Sequence, residues 1–116
     1  MQHKINIAAS FLFLNMAIRV LELDRHYIEQ GRFKIKTPYI EWVNSLISKA
    51  INERRELKSV MHRDKIQVNF LYREGKFTYY EFIINRSKTV KCYFNPIIKK
   101  NVEHIIDNLM KHGSIV

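Results

Sequence analysis

The stretch that decides the fold runs from Ile66 to Phe94 and reads IQVNFLYREGKFTYYEFIINRSKTVKCYF. Apolar and polar side chains alternate along it, and the alternation is interrupted near Glu74-Gly75 and at Asn85-Arg86-Ser87. A period of two residues that is broken by turn-forming residues is typical of consecutive antiparallel strands. The stretch is therefore predicted to form a three-stranded antiparallel meander.

The length of the first turn follows from the place of Glu81. A two-residue turn at Glu74-Gly75 would set this carboxylate opposite Val68, on the apolar face of the hairpin, which is costly. A three-residue loop from Arg73 to Gly75, with Gly75 left-handed, separates polar from apolar side chains instead. We therefore predict this loop, with one apolar face that consists of Ile66, Val68, Phe70, Tyr72, Thr78, Tyr80, Phe82 and Ile84.

Helical patterns flank the meander on both sides. The first helix is predicted from about Ile5 to Gln30, with Gly31 as a left-handed stop. The last helix is predicted to open at Asn95-Pro96 and to close at Gly113. Both are elements of a single α+β domain over residues 1–116, because no linker, repeat or low-complexity run divides the chain.

Between the first helix and the meander, a short edge strand is predicted around Phe33 and Ile35, which alternate with basic residues. A second helix then starts with Thr37 as N-cap and Pro38 in its first turn. The pattern leaves open whether residues 38–63 form one helix or two. Two helices would give the element order of a winged helix, although no turn signal follows Ala50 and the hairpin is very apolar for a wing.

The first helix is apolar around almost its whole circumference. Such a helix must be covered on more than one side, and one small domain offers limited cover. We therefore predict that it packs against its copy in a homodimer. The alternative is a central core helix in a monomer. The predicted dimer interface consists of Phe11, Leu14, Ile18 and Leu21.

The same helix imitates a secretory signal peptide or a membrane span. Asn6, Ser10 and Asn15 interrupt the apolar run, no small-residue cleavage site follows, and Arg19 arrives before the roughly 20 apolar residues that a bilayer requires. The single cysteine, Cys92, also fits a reducing compartment better than a secreted scaffold. The sequence thus predicts a cytoplasmic protein that does not contact a membrane.

Positive charge is concentrated in one part of the chain. The formal net charge is +9, yet the first 31 residues contain three basic and three acidic side chains. All of the excess therefore lies in residues 32–116. Lysine and arginine gain affinity for phosphates by displacing condensed counterions, so nucleic acid is the predicted partner, DNA before RNA.

The strongest run of basic residues follows the apolar part of the second helix. The alternative interpretation is that this run is only a solvated helix face. Part of its charge could be neutralised by Glu41, Glu53 and Glu56. If it binds phosphates, Lys34, Lys36 and Lys88 would assist it. The predicted nucleic-acid-binding residues are Arg54, Arg55, Lys58, His62, Arg63, Lys65, Arg73 and Lys91.

Two of these residues belong to a second hypothesis. Arg73, Tyr79, Lys91 and Tyr93 could form an aromatic and basic platform on the outer sheet face, on which single-stranded bases would stack. Aromatic residues in strands are more often packing residues. The platform exists only if the last helix covers the other face of the sheet.

Catalysis and metal binding have weaker signals. A small endoribonuclease toxin could use His62, Arg63, Arg73, Glu81 or His104 as acid, base or phosphate clamp, but their spacing does not indicate one site. Glu103, Asp107 and His112 lack the paired motifs of metal sites. We therefore predict no catalytic residues, no metal and no cofactor.

The sequence thus predicts a cytoplasmic, homodimeric, non-catalytic DNA-binding protein with a role in transcription regulation. The combined share of Ile, Lys and Asn, about a third of all residues, suggests a bacterium or its phage. The alternative from another class is an adaptor or inhibitor that binds a protein partner through its apolar first helix.

Overall fold

A computed structural model of the chain describes the backbone of residues 2–113 and the side chains of residues 2–111. Within these residues, three helices and one antiparallel sheet of order β1-β2-β3 confirm the α+β prediction. The elements are α1 Gln2–Gln30, α2 Thr37–Arg63, β1 Ile66–Glu74, β2 Phe77–Ile84, β3 Ser87–Phe94 and α3 Asn95–Gly113.

α2 is one continuous helix, which answers the question of one helix or two and removes the element order of a winged helix. Its start differs from the prediction. Lys36, not Thr37, occupies the N-cap, and no side chain caps the helix by a hydrogen bond. Pro38 in the first turn tolerates this start because it has no N–H to satisfy.

The link between α1 and α2 corrects two further predictions. Residues 31–36 form no strand, and Phe33 and Ile35 are exposed there without a neighbouring strand to pair with. Gly31 is not among the residues with positive φ. A Cβ at this position would lie 2.6 Å from Cε2 of Phe33, so a larger residue here would have to displace that exposed ring.

The first hairpin has the predicted apolar face but a different turn. Ile66 opposes Ile84, Val68 opposes Phe82 and Phe70 opposes Tyr80, so all six share one face. The turn is Gly75-Lys76, with Gly75 left-handed at φ 59°. A bulge between Phe70 and Tyr72 then shifts the register by one residue.

The bulge moves two side chains relative to the prediction. Tyr72 opposes Tyr79 and Arg73 opposes Thr78. Tyr72 therefore lies on the face away from the helices, and Arg73 lies on the helix face, because opposing residues share a face and successive residues alternate.

The second turn also differs from the prediction, and the difference turns β3 over. Ile84 opposes Ser87, so Asn85-Arg86 is a two-residue turn with φ 52° and 74°. Two consecutive left-handed residues are typical of a type I′ hairpin. Since a shift of one residue moves every side chain to the other face, Lys91 and Tyr93 face the helices while Val90, Cys92 and Phe94 face away.

The helices pack on one face of the sheet, with α1 at the centre of two apolar clusters. One cluster joins Ala8, Phe13 and Ala17 of α1 to Met61 of α2, to Phe82 and its neighbours in the sheet and to Val102 of α3. The other joins α1 to α2 and α3 through Leu14, Ile18, Leu21, Val43, Leu46, Ile47, Ala50 and Leu109.

This arrangement changes the interpretation of the predicted dimer interface. Leu14, Ile18 and Leu21 are at most 4% exposed and contact α2 of the same chain. Phe11 is half-buried and packs against the cluster that includes the sheet. The cover that α1 needs thus comes from its own chain, and these side chains do not form an open surface for a second copy.

α1 is long and apolar enough to span a bilayer by length and composition, and 39% of its most apolar window is buried in the fold. Core helices of soluble proteins and signal sequences near an N-terminus satisfy the same criteria. α1 contributes side chains to both apolar clusters of the fold.

Candidate nucleic-acid interface

Basic side chains from one helix and two turns lie at one end of the molecule. Arg55, Lys58 and His62 are exposed, and their spacing of three and four residues sets them along one stripe of α2. His62, Lys65 and Arg86 line one recess of about 510 Å³, beside Met61, Ile66, Gln67 and Ile83. We call Arg55, Lys58, His62, Lys65 and Arg86 the basic end.

The backbone holds two members of the basic end together. Lys65 follows α2 with φ 55°, and Arg86 lies in the β2–β3 turn with φ 74°. Next to Arg86, the N–H of Asn85 donates to the carbonyl of Lys65 at 3.0 Å. This bond and the two left-handed positions, which are typical of a helix end and of a type I′ turn, hold Lys65 next to the β2–β3 turn.

Two predicted binding residues in the C-terminal half of α2 have partners of their own. The Arg54 guanidinium is half-buried and donates to Oδ1 of Asn15 in α1 at 2.8 Å. The Nε of Arg63 lies 3.3 Å from Oδ1 of Asp64. Arg54 therefore joins two helices, and part of the charge of Arg63 is neutralised locally.

The aromatic and basic platform does not form as predicted. Tyr79 faces away from the helices, whereas Arg73, Lys91 and Tyr93 lie on the helix face. The ring of Tyr93 contacts Phe13 of α1 edge-on, with the centroids 5.2 Å apart. The prediction was wrong because it rested on turn lengths that differ from the actual ones by one residue in each hairpin.

The outer sheet face has aromatic residues of its own. Tyr72 stacks on Tyr79 with the centroids 4.5 Å apart, and Phe77 lies 5.5 Å from Phe94. A hydrogen bond with Cys92 and the charge of its thiolate raise the pKa of Tyr79. The ionisable side chains beside these rings include two carboxylates, Glu74 opposite Phe77 and Glu81 opposite Val90, and one lysine, Lys88 opposite Ile83.

The residues considered for catalysis are dispersed over the molecule. His62 and Arg73 lie near opposite ends of β1, which is about 25 Å long. Glu81 is on the outer face, where it accepts a hydrogen bond from Asn69, and His104 lines a cleft between α1, α2 and α3. These groups do not share a site in the described part of the chain.

Metal-binding clusters of His, Cys, Asp and Glu are absent from the described residues. Of the weak candidates, Asp107 pairs with Lys111 at 2.9 Å. The side chain of His112 lies outside the described residues.

The family model described as YhjD protein matches residues 1–114 of the chain. The chain belongs to the YhjD protein family. A relative in Bacillus subtilis (strain 168), named uncharacterized protein YhjD, is 30% identical over 95 residues, which cover 82% of this chain and 79% of the relative. No solved structure matches the chain.

In this YhjD-family chain, the basic end includes one residue that sequence reasoning assigned only to a turn. Arg86 lies in the turn and contributes to the same recess as His62 and Lys65. The adjacent Lys65 was predicted from the basic run of α2. A signal for Arg86 was present, because a β2–β3 hairpin returns its turn toward the residue that precedes β1.

Proposed function

We propose that this protein binds duplex DNA through the basic end, without chemistry of its own, and acts in regulation in the cytoplasm. The observation that supports the proposal best is the recess shared by His62, Lys65 and Arg86, whose lining includes no carboxylate. Lys65 and Arg86 bring two positive charges to the recess from separate turns, which suits contact with successive phosphates, because each such contact releases condensed counterions.

The stripe on α2 extends the basic end. Arg55 lies two turns and Lys58 one turn before His62, on the exposed side of the helix. Arg55 donates to Asn52 at 3.2 Å, a contact between exposed side chains that a phosphate can replace. The stripe would follow a phosphate backbone, so that binding depends on charge and spacing more than on base sequence.

Duplex DNA is favoured over single strands because of where the aromatic residues lie. The stacked Tyr72 and Tyr79 are on the outer face, where Glu74 and Glu81 outnumber Lys88. A site for single-stranded nucleic acid combines stacking rings with a positive groove. The outer face offers rings without the positive groove, and the basic end offers cations without exposed rings.

The test is binding of a labelled DNA duplex, measured by fluorescence anisotropy across a salt series. The variant Lys58→Gln, Lys65→Gln, Arg86→Gln should bind more weakly at every salt concentration. The plot of log K against log salt should also become less steep by about 3, since each lost phosphate contact removes roughly 0.9 from the magnitude of its slope.

The matched control removes three exposed basic side chains elsewhere. Arg32 lies between α1 and α2, Lys76 in the first hairpin turn and Lys100 on α3. The variant Arg32→Gln, Lys76→Gln, Lys100→Gln has the same net charge as the test variant and should retain most of the binding. Equal losses in the two folded variants would show that only net charge matters and would contradict the site.

A second candidate function, protein binding, is favoured by a separate observation. Apolar side chains are exposed where α1 ends and α2 begins, and the rings of Phe33 and Tyr39 lie 6.1 Å apart there. The exposed side chains are Tyr27, Phe33, Ile35, Tyr39 and Trp42. Exposed apolar groups of this size mark interaction surfaces, and a second copy of the chain is the partner that would make the protein a homodimer.

Light scattering tests this candidate across a range of protein concentration. If this surface mediates a dimer, Phe33→Ser with Trp42→Ser should shift the protein toward monomer while the fold is retained. The control Val90→Ser removes an exposed apolar side chain from the outer sheet face. A dimer that both variants retain would place the interface elsewhere.

A further inference from the structure

A groove between α1, α3 and the helix face of the sheet has no cover in the described part of the chain. Its volume is about 600 Å³, within the range of roughly 300 to 1,000 Å³ that small-molecule pockets occupy. Its walls are mainly apolar and come from Met16, Val20, Phe70, Tyr80, Val102 and Ile106. Phe70 is 63% exposed although it shares a face with the buried Phe82. The groove is therefore an uncovered extension of the apolar core.

One end of the groove is polar. Arg73 opposes Thr78 across the first hairpin, and the hydroxyl of Thr78 donates to Oδ1 of Asn95 at 2.6 Å. Asn95 begins α3, and Lys99 follows one turn later on the same side of the groove. The side chains of Arg73, Thr78, Asn95 and Lys99 thus belong to one end of the groove, beside the first turn of a helix, where the backbone dipole also favours negative charge.

The charges at this end are unpaired within the residues that the structure describes. Neither Arg73 nor Lys99 forms an ion pair there. Glu103 also lines the groove, one turn beyond Lys99. The lining therefore has one net positive charge. Arg73 and Lys99 lie at the polar end, and Glu103 lies one turn of α3 closer to the apolar end.

We propose that the groove binds a fatty acid, with its carboxylate between Arg73 and Lys99 and its hydrocarbon chain along Val20, Val102 and Ile106. From Lys99 to Ile106, α3 rises about 10 Å, so the apolar walls extend well beyond the polar end. A wholly apolar ligand would leave the two cations without a partner. A cationic amphiphile would meet them with the wrong sign. The site is separate from the basic end and does not depend on the proposed DNA binding.

Titration calorimetry with dodecanoate, below its critical micelle concentration, tests the proposal on the full chain. We expect saturable binding of a single dodecanoate per chain. Dodecanol and dodecyltrimethylammonium should bind at least about tenfold more weakly, because they lose a charge-assisted contact of the usual strength. Failure of dodecanoate to bind the folded protein would overturn the proposal.

Variants then locate the ligand. Arg73→Gln and Lys99→Gln should each weaken dodecanoate about tenfold and leave dodecanol unchanged. Lys100→Gln, the matched control on α3, removes an exposed lysine that is absent from the lining and should have no effect. Val20→Trp, at a position that is 39% exposed, should fill the groove and weaken both ligands.

Circular dichroism is the control that checks whether each variant is folded. If Lys99→Gln and Lys100→Gln behave alike, the carboxylate site is wrong. If the protein self-associates through this groove, Val20→Trp would abolish the association and dodecanoate would not bind, which would assign the groove to a second copy and overturn the fatty-acid proposal.

Discussion

The N–H of Asn85 donates to the carbonyl of Lys65 at 3.0 Å, and this bond ties the β2–β3 turn to the junction between α2 and β1. Both sides of the bond are left-handed, with φ 52° at Asn85 and 55° at Lys65, and Arg86 follows at φ 74°. Asparagine adopts this conformation more readily than lysine or arginine does. The two basic residues thus occupy backbone positions that glycine would occupy at lower cost.

Replacing Arg86 by glycine should therefore raise stability and lower DNA affinity at once. Glycine adopts positive φ without steric cost and suits the second position of a type I′ turn. We expect Arg86→Gly to increase the free energy of unfolding by about 1 kcal/mol, measured by urea denaturation. DNA binding should weaken because one phosphate contact is lost.

Arg86→Gln separates the two effects. It removes the charge and retains a side chain at positive φ, so it should weaken DNA binding as much as Arg86→Gly without the gain in stability. If glycine gives no gain in stability, the left-handed backbone at Arg86 has no measurable cost.

Arg54 and Arg55 are neighbours with opposite expected roles. Arg54 joins α2 to Asn15 of α1 in a half-buried hydrogen bond, whereas Arg55 is exposed. Arg54→Ala should destabilise the fold by about 1 to 2 kcal/mol, because it leaves the Asn15 amide without its partner. Arg55→Ala should leave the denaturation midpoint nearly unchanged and should weaken DNA binding instead. Equal stability of the two variants would contradict the structural role of Arg54.

Much of the fold could be predicted from hydrophobic periodicity. The boundaries of the last helix, the meander and the shared face of Val68 and Phe82 agree with the sequence pattern. The faces of Tyr72 and of all of β3 could not be predicted in this way. They depend on a bulge at Leu71 and on Arg86 at positive φ, and a one-residue change in either place reverses a face.

Only part of the candidate site could be predicted from the sequence. The stripe on α2 follows from spacing along a single helix, so Arg55, Lys58 and His62 share a surface as expected. Arg54 lies next to this stripe in sequence, but its partner Asn15 is 39 residues away. Contacts between distant segments have no local signature, and this also explains why α1 needs no second copy to cover Leu14 and Ile18.

Phe82 and Phe70 allow a direct test of where the core ends. They share one face of the first hairpin, yet Phe82 is 0% exposed and Phe70 is 63% exposed. Phe82→Ala should cost about 3 to 5 kcal/mol of unfolding free energy, the usual range for a buried phenylalanine. Phe70→Ala should cost less than about 1 kcal/mol, since most of its surface remains in water. Similar losses in urea denaturation would indicate that the groove beside Phe70 is closed in solution.

Stability should fall at alkaline pH because of two tyrosines on the helix face of the sheet. Burial raises the pKa of Tyr80 above the ordinary value of 10.0. Burial also raises the pKa of Tyr93, and the charge of ionised Tyr80 adds to the effect. Below about pH 10 both phenols are neutral in the folded and the unfolded chain, so they add no pH dependence.

Above that pH, the unfolded chain loses these protons first, and ionisation favours unfolding until the folded phenols also titrate. Tyr80→Phe with Tyr93→Phe should therefore flatten the decline of the urea midpoint above about pH 10. Tyr27→Phe is the matched control, because Tyr27 is 62% exposed, and it should leave the decline unchanged. A decline that persists in the double variant would assign the alkaline loss to other groups, because the two phenols would then titrate alike in the folded and the unfolded chain.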